Sequence, residues 1–332
     1  MGGADWHSDS RDCALPLERS RQMKHLLLTT IAAVVLVGCG TTQQSVSQTE
    51  STTVAFKARS RHLQDGKDVV KTVDVKWSAE KTAVVICDMW SSHWCDSASR
   101  RCAEMAPRIN AFVSALRSRG VLIIHCPSSG VKHYESTPMR MRAKAAPVVK
   151  TEVPLLAWCS LDKTREQALP IDDSDNGCDC QPRCPTGAGR MDLRQIAAIK
   201  MADEDAVTDS PEAYYLMKQR GITNVIILGV HTNMCVLGRP FSIRQMVYQG
   251  QNVALVRDLT DTMYNPRSKP FVPHTRGTEL VVEHIERHWC PTLTSTDVLG
   301  GETFQFSDVK IEKDFREPPP SSANTAARRV QN

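Results

Sequence analysis

Several things are missing from this sequence, and each absence removes a class of function. The chain has no long Lys/Arg block, and its net charge is only +4 over 332 residues, so nucleic-acid binding has little support. There is no Gly-x-Gly-x-x-Gly fingerprint and no Gly-Lys-Ser/Thr loop, which leaves a nucleotide-binding reading without its usual support. No internal repeat is present, so the chain is not an array of small units. The apolar stretch Leu26 to Val37 is shorter than the roughly 20 residues a spanning helix needs. The twelve cysteines are scattered and do not form the dense framework of a small disulfide scaffold.

What is present is ordinary globular composition, 41% hydrophobic and 23% charged, in a chain long enough to bury a sizeable core. The N-terminal part is different. From Met23 a basic residue, the short apolar run and Leu36-Val37-Gly38-Cys39 follow in order. This order resembles a bacterial lipoprotein signal, which implies cleavage before Cys39, lipidation of that cysteine, and an exported protein held at the membrane by its lipid. A cytoplasmic location is the alternative. Residues 1–38 are set aside as an upstream segment and signal, and 39–52 read as a Ser/Thr/Gln-rich tether.

Residues 53–299 carry the pattern of one α/β domain. Thr53 to Trp77 alternates around the turn signal Gln64-Asp65-Gly66 and predicts a β-hairpin. Short apolar runs ending at Asp88, Pro127, Lys200, Val230, Thr260 and Leu299 predict about six further strands. Between them lie helical patterns: 106–120 closed by Gly120, 210–221 with Ser210 as N-cap, 235–250, and 275–290. Val/Ile/Leu runs alternating with amphipathic helices predict a three-layer α/β/α fold on a mostly parallel sheet. Residues 128–192 form a long polar insertion, and the tail from 300 is expected to be disordered from about Arg316.

Asp88, Lys200 and Cys235 each stand at the end of a predicted strand, so a parallel sheet would bring them to one edge. A thiolate is the reactive form of cysteine. A neighbouring ammonium and a helix N-terminus favour it, and a carboxylate can take the thiol proton and return it to a leaving amine.

The motif "GVHTNMCV", Gly229 to Val236, with "AVVICDM" before it and Lys200 lying 35 residues ahead of Cys235, resembles the isochorismatase-like cysteine hydrolase superfamily. That superfamily includes nicotinamidases and N-carbamoylsarcosine amidase. The similarity runs from about Lys81 to Leu299 outside the insertion, with Val207 where the family often has Phe. The resemblance implies Cys235 as nucleophile, Asp88 as general base and Lys200 as the residue that polarises the pair. It also implies a cis peptide at Val230–His231 and an oxyanion hole made by the amides of His231 and Cys235. The implied reaction is hydrolysis of a small amide, imide or ureido substrate through a thioester. An isochorismatase-type vinyl-ether hydrolase and a non-catalytic binding protein on the same fold are the alternatives.

The sequence departs from nicotinamidases in lacking their Asp-x-His metal pair. His93, His125 and His133 are candidate ligands without that pattern, and no cofactor is required. Trp90, His93 and Trp94 either line the substrate pocket or pack the next helix. In the insertion, Cys178, Cys180 and Cys184 are weak metal candidates, since C-x-C-x3-C is not the usual pair of C-x2–4-C knuckles. A disulfide within the group, or to Cys159, is the competing expectation, and the insertion itself reads as a lid or as a surface loop. The expected partner is a small molecule, and a homo-oligomer stays open.

Overall fold

The computed structural model describes residues 52–307. The expected signal from Met23, the lipidation position Cys39, the tether up to residue 51 and the tail from 308 lie outside the described residues.

The strands are β1 (Thr53–Gln64), β2 (Lys67–Ser78), β3 (Thr82–Cys87), β4 (Trp90–Ser92), β5 (Leu122–Cys126), β6 (Asp192–Gln195), β7 (Ala206–Val207), β8 (Asn224–Val230), β9 (Asn252–Asp261) and β10 (Thr292–Leu293). The α-helices are α1 (Asp96–Arg117), α2 (Pro138–Lys144), α3 (Glu212–Gln219), α4 (Cys235–Gly238), α5 (Ile243–Tyr248), α6 (His274–His288) and α7 (Thr296–Leu299).

The predicted hairpin forms as read. Asp65 (φ 52°) and Gly66 (φ 75°) are both left-handed, the backbone a two-residue type I′ turn requires. The main sheet has eight strands in the order β2-β1-β10-β9-β8-β3-β5-β7. The six strands from β10 to β7 pair in parallel, and the hairpin joins β10 through antiparallel β1. Every residue of β3 and β8 is buried, because a parallel sheet is covered on both faces. On one face Met105, Ile109, Phe112 and Leu116 of α1 pack with Val54 and Phe56 of the hairpin. On the other, Leu216 and Met217 of α3, Met246 of α5 and Ile285 of α6 close the core. The three-layer architecture is the expected one. Among the described residues no helix is long and apolar enough to cross a membrane.

The chain leaves β3 toward β5 on one side and later returns to β8 on the other side of β3. The order of strands therefore switches between β3 and β8, the place where open α/β sheets bind ligands outside the carboxyl ends of their strands.

Four local expectations fail. The run ending at Leu299 is a strand only at Thr292–Leu293, and Thr296–Leu299 form α7 instead. The run 194–200 is not a strand of the main sheet: Arg194 and Gln195 finish β6, which pairs with β4 in a small second sheet, and the chain turns after it. The two alanines of that run are exposed, so it buries too little to hold a central position. The edge strand is β7, six residues past Lys200. The helical pattern 235–250 breaks into α4 and α5 around Pro240, which cannot donate within a helix. Finally, α1 begins at Asp96 and carries Pro107 inside it, not near its start.

Candidate active site

β3 delivers Asp88 to the switch point with φ 47°, a left-handed conformation that aspartate tolerates better than most residues. Its amide donates to Cys126 O at 3.1 Å, and its Oδ1 accepts from the Ser128 amide at 2.7 Å. The loop leaving β5 thus holds the carboxylate. β8 arrives alongside through Gly229 (φ 101°), where a Cβ would lie 2.1 Å from Cys87 O. Only glycine allows that approach. The Val230–His231 peptide is cis, as expected, and Cys235 opens α4 four residues on, buried at 9% exposure.

Cys235 and Asp88 lie close enough at the strand ends for the charge of each to act on the other. Arg239 Nε stands 4.0 Å from Asp88 Oδ2. Buried polar atoms are nearly always satisfied, yet Asp88 Oδ2, Ser128 Oγ, Arg239 Nε and His231 Nε2 have no complete hydrogen bond among the described residues. Two backbone donors join them, since neither the His231 nor the Cys235 amide has an acceptor among the described residues. A concentration of unpaired donors and acceptors around one thiol is a site with capacity for a polar ligand.

Burial raises the Asp88 carboxyl, opposed by its contacts with Cys235, Ser128 and Arg239. Burial and the Asp88 charge push the Cys235 thiol far above its ordinary value, against the pull of Arg239. These surroundings favour the neutral thiol. The helix N-terminus contributes little here because α4 has only four residues, and desolvation outweighs a single nearby cation.

Lys200 is not in this site. It is exposed, its amide donates to Asn110 Oδ1 and its carbonyl accepts from Arg117, the last residue of α1. Because β7 begins only at Ala206, Lys200 lies before the strand, toward the amino edge of the sheet. The cation beside Asp88 and Cys235 is Arg239.

Trp90, His93 and Trp94 do come together, with His231 as a fourth ring. His93 stacks on Trp90 at 5.9 Å, meets Trp94 at 5.2 Å and His231 edge-on at 5.1 Å. Trp90 Nε1 donates to Ser128 O at 3.2 Å, tying this wall to the loop that holds Asp88. The insertion closes over α4 from the other direction. The Cys159 amide donates to Gly238 O at 2.7 Å, and the Arg239 guanidinium lies 5.7 Å from the Trp158 ring centre. A Cβ at Gly238 would sit 2.7 Å from that ring. Further along, Glu166 is bound by Arg244, His284 and Trp289. The insertion is a fastened cover, not a loose surface loop.

The candidate histidine ligands do not converge. His125 is buried between Gln195 Oε1 (2.7 Å) and Asp205 Oδ2 (3.0 Å), and His133 is exposed. Cys159 is held by Gln245 and does not reach the other insertion thiols. Cys178, Cys180 and Cys184 gather instead around Cys95, and every described cysteine is a free thiol.

Ser128, Trp158, Cys95 and Arg239 are not among the residues expected from the sequence. Only Arg239 had a local signal, one helical turn past Cys235. The others reach the site from loops whose course no periodicity records.

Burial holds the His231 imidazole down to about 3 and that of His93 down to about 4. An unfolded histidine takes its proton near 6.5, so the unfolded chain binds protons first as pH falls. The stability these rings contribute is whole above about pH 6.5 and is lost as pH drops toward their folded values. Asp88, raised by burial, acts in the opposite sense at the acid end. The unfolding free energy from urea titrations should fall from pH 7 to pH 5, with a slope of up to about 1.4 kcal/mol per pH unit for each ring. His231→Gln should flatten that fall.

The sequence matches no protein-family model and no curated protein. Among solved structures, it is similar to a cysteine hydrolase from Pseudomonas syringae pv. phaseolicola 1448A at 16% identity and TM-score 0.43, over 67% of this chain and 92% of that one. An isochorismatase from Pseudomonas putida KT2440 is similar at 12% identity and TM-score 0.40, over 66% and 91%. N-carbamoylsarcosine amidase from Thermoplasma acidophilum is similar at 11% identity and TM-score 0.34, over 65% and 96%. Likenesses this distant carry no argument about what the chain does.

Proposed function

We propose that the protein is a cysteine-nucleophile hydrolase that cleaves a C–N bond in a small amide, imide or ureido compound. The observation that carries this reading is the buried Asp88–Cys235 pair, with Arg239 beside it and the unpaired amides of His231 and Cys235 at the same strand ends.

In this scheme Asp88 takes the Sγ proton as the sulfur attacks the substrate carbonyl. The thiol is neutral at rest, so proton transfer and attack proceed together. The carbonyl oxygen becomes an oxyanion that the two free amides stabilise. Protonated Asp88 then gives its proton to the nitrogen as the C–N bond breaks, leaving a thioester on Cys235. Water attacks the thioester, Asp88 accepts the water proton, and the acid leaves as the thiol is restored. Arg239 steadies the negative charge that passes between carboxylate and sulfur. The ring wall and Trp158 exclude bulk water and bound the substrate to a small size.

A screen for ammonia release over amides and ureido compounds, with Cys235→Ala as control, tests the reading. Release by wild type and its loss in the variant support it, and equal release by both contradicts it. On any compound found, Arg239→Ala should lose about 10²-fold in kcat, the range for a lost charge-stabilising donor. Lys200→Ala should stay within about twofold, as exposed substitutions away from a site usually do. Steady-state kinetics of the two variants decides which cation serves the pair.

A further inference from the structure

Four thiols from two distant parts of the chain meet beside the aromatic wall. Cys95 is the N-cap of α1, while Cys178, Cys180 and Cys184 come from the insertion. Their sulfurs all lie within 4.8 Å of one another, and Cys95 Sγ is 3.8 Å from Cys180 Sγ. A zinc ion with Zn–S bonds of about 2.3 Å sets tetrahedral sulfurs about 3.8 Å apart. Iron–sulfur clusters spread their cysteines over several metal atoms and suit so compact a set less well than a single ion does.

Backbone and hydroxyl donors meet two of the sulfurs. The Ser97 amide and hydroxyl lie 3.3 and 3.0 Å from Cys180 Sγ, and the Asp96 amide lies 3.4 Å from Cys184 Sγ. Such N–H···S and O–H···S contacts are what outer partners of a thiolate-bound metal supply. Asp179, between two of the thiols, is fastened to Arg101 at 2.7 Å, and Arg267 donates to the carbonyls of Asp179 and Cys180. The loop is held in place by two arginines, and the Asp179 Oδ1 oxygen faces Cys95 Sγ at 3.8 Å.

We propose that Cys95, Cys178, Cys180 and Cys184 bind one zinc ion in a closed, four-thiolate structural site. Binding exchanges four thiol protons for one Zn²⁺, leaving a doubly negative centre that the neighbouring amides and arginines offset. No sulfur is left to an open position, so the ion fastens and does not catalyse. What it fastens is the insertion, against the segment that carries Trp90, His93 and Trp94. Trp94 and Met234, the residue before Cys235, both pack on this thiol cluster. The ion would thereby fix one wall of the candidate active site. The zinc site itself does not depend on the chemistry proposed for Cys235.

The test is metal content of the full chain, purified without metal-affinity resin and measured by elemental and native mass spectrometry. About one zinc per chain is expected, with release by a chromogenic chelator much faster from Cys184→Ser and Cys95→Ser than from wild type. Cys290→Ser, a buried thiol elsewhere, should release zinc at the wild-type rate. Cys184 is the more exposed of the two and guards against a variant that fails to fold. Cobalt reconstitution of wild type should give the absorption of a tetrahedral thiolate centre. A folded wild type that takes up no zinc overturns the proposal, as does a mass lighter by two hydrogens per disulfide within these four cysteines. Variants that hold zinc as tightly as wild type overturn it equally.

Discussion

Cys235→Ala should lower kcat by at least about 10³-fold on any substrate the wild type hydrolyses, because removing the nucleophile removes the covalent route altogether. Asp88→Asn should cost about 10²- to 10⁴-fold, the usual worth of a positioned general base. The asparagine keeps an oxygen for the Ser128 amide, now bonded to Asp88 Oδ1 at 2.7 Å, so the loss would report proton transfer and not a collapsed loop. The two effects should not add. Sulfur attack and proton removal are one step, and the double variant should be no slower than Cys235→Ala alone. Single-turnover rates of the three variants against wild type provide the check. An Asp88→Asn variant with wild-type kcat would remove the carboxylate from the scheme.

The second large effect is on stability. Arg101 is 1% exposed and bridges two carboxylates, Asp261 Oδ2 at 2.8 Å and Asp179 Oδ2 at 2.7 Å. His274 reaches the other oxygen of Asp261 at 2.9 Å. Arg101 and His274 hold the Asp261 carboxyl far below the usual range despite full burial. Arg101→Ala would leave the buried Asp261 and the part-buried Asp179 facing one imidazole, and breaking a buried pair in this way costs about 3–5 kcal/mol. Guanidinium unfolding should show that loss as a lower midpoint. Arg101→Lys should recover only part of it, because a single ammonium cannot reproduce the planar fork that meets both acids. Since the folded Asp261 is depressed, its contribution is present above about pH 4 and is lost as pH falls below the ordinary carboxylate value. Measured at pH 7, the variant should show the full deficit.

Much of the fold was legible because the signals were local. The hairpin followed from Asp65-Gly66, and the buried strands β3, β8 and β9 from short apolar runs that only a covered parallel sheet explains. Asp88 and Cys235 were readable because each sits directly after such a run. Lys200 was misread because a seven-residue run containing two alanines looked like a strand, while the short edge strand β7 has only two paired residues and leaves no pattern. Arg239 lay one turn past the nucleophile, but an arginine there reads equally well as a solvated helix residue. Cys95 could not be joined to Cys178, Cys180 and Cys184 from spacing, because more than eighty residues separate them and the long insertion carries no periodicity. Loop-borne contacts such as Trp158 on Gly238 depend on tertiary packing alone.

In the proposed reaction Cys235 forms a covalent acyl intermediate. Wild-type protein turning over a substrate found in the ammonia screen can be quenched in acid, digested and mapped by mass spectrometry. An acyl group should appear on the peptide containing Cys235, absent from Cys235→Ala and longer-lived in Asp88→Asn, where water lacks its base. Turnover at the wild-type rate by Cys235→Ala, or an adduct on any other residue, would contradict it.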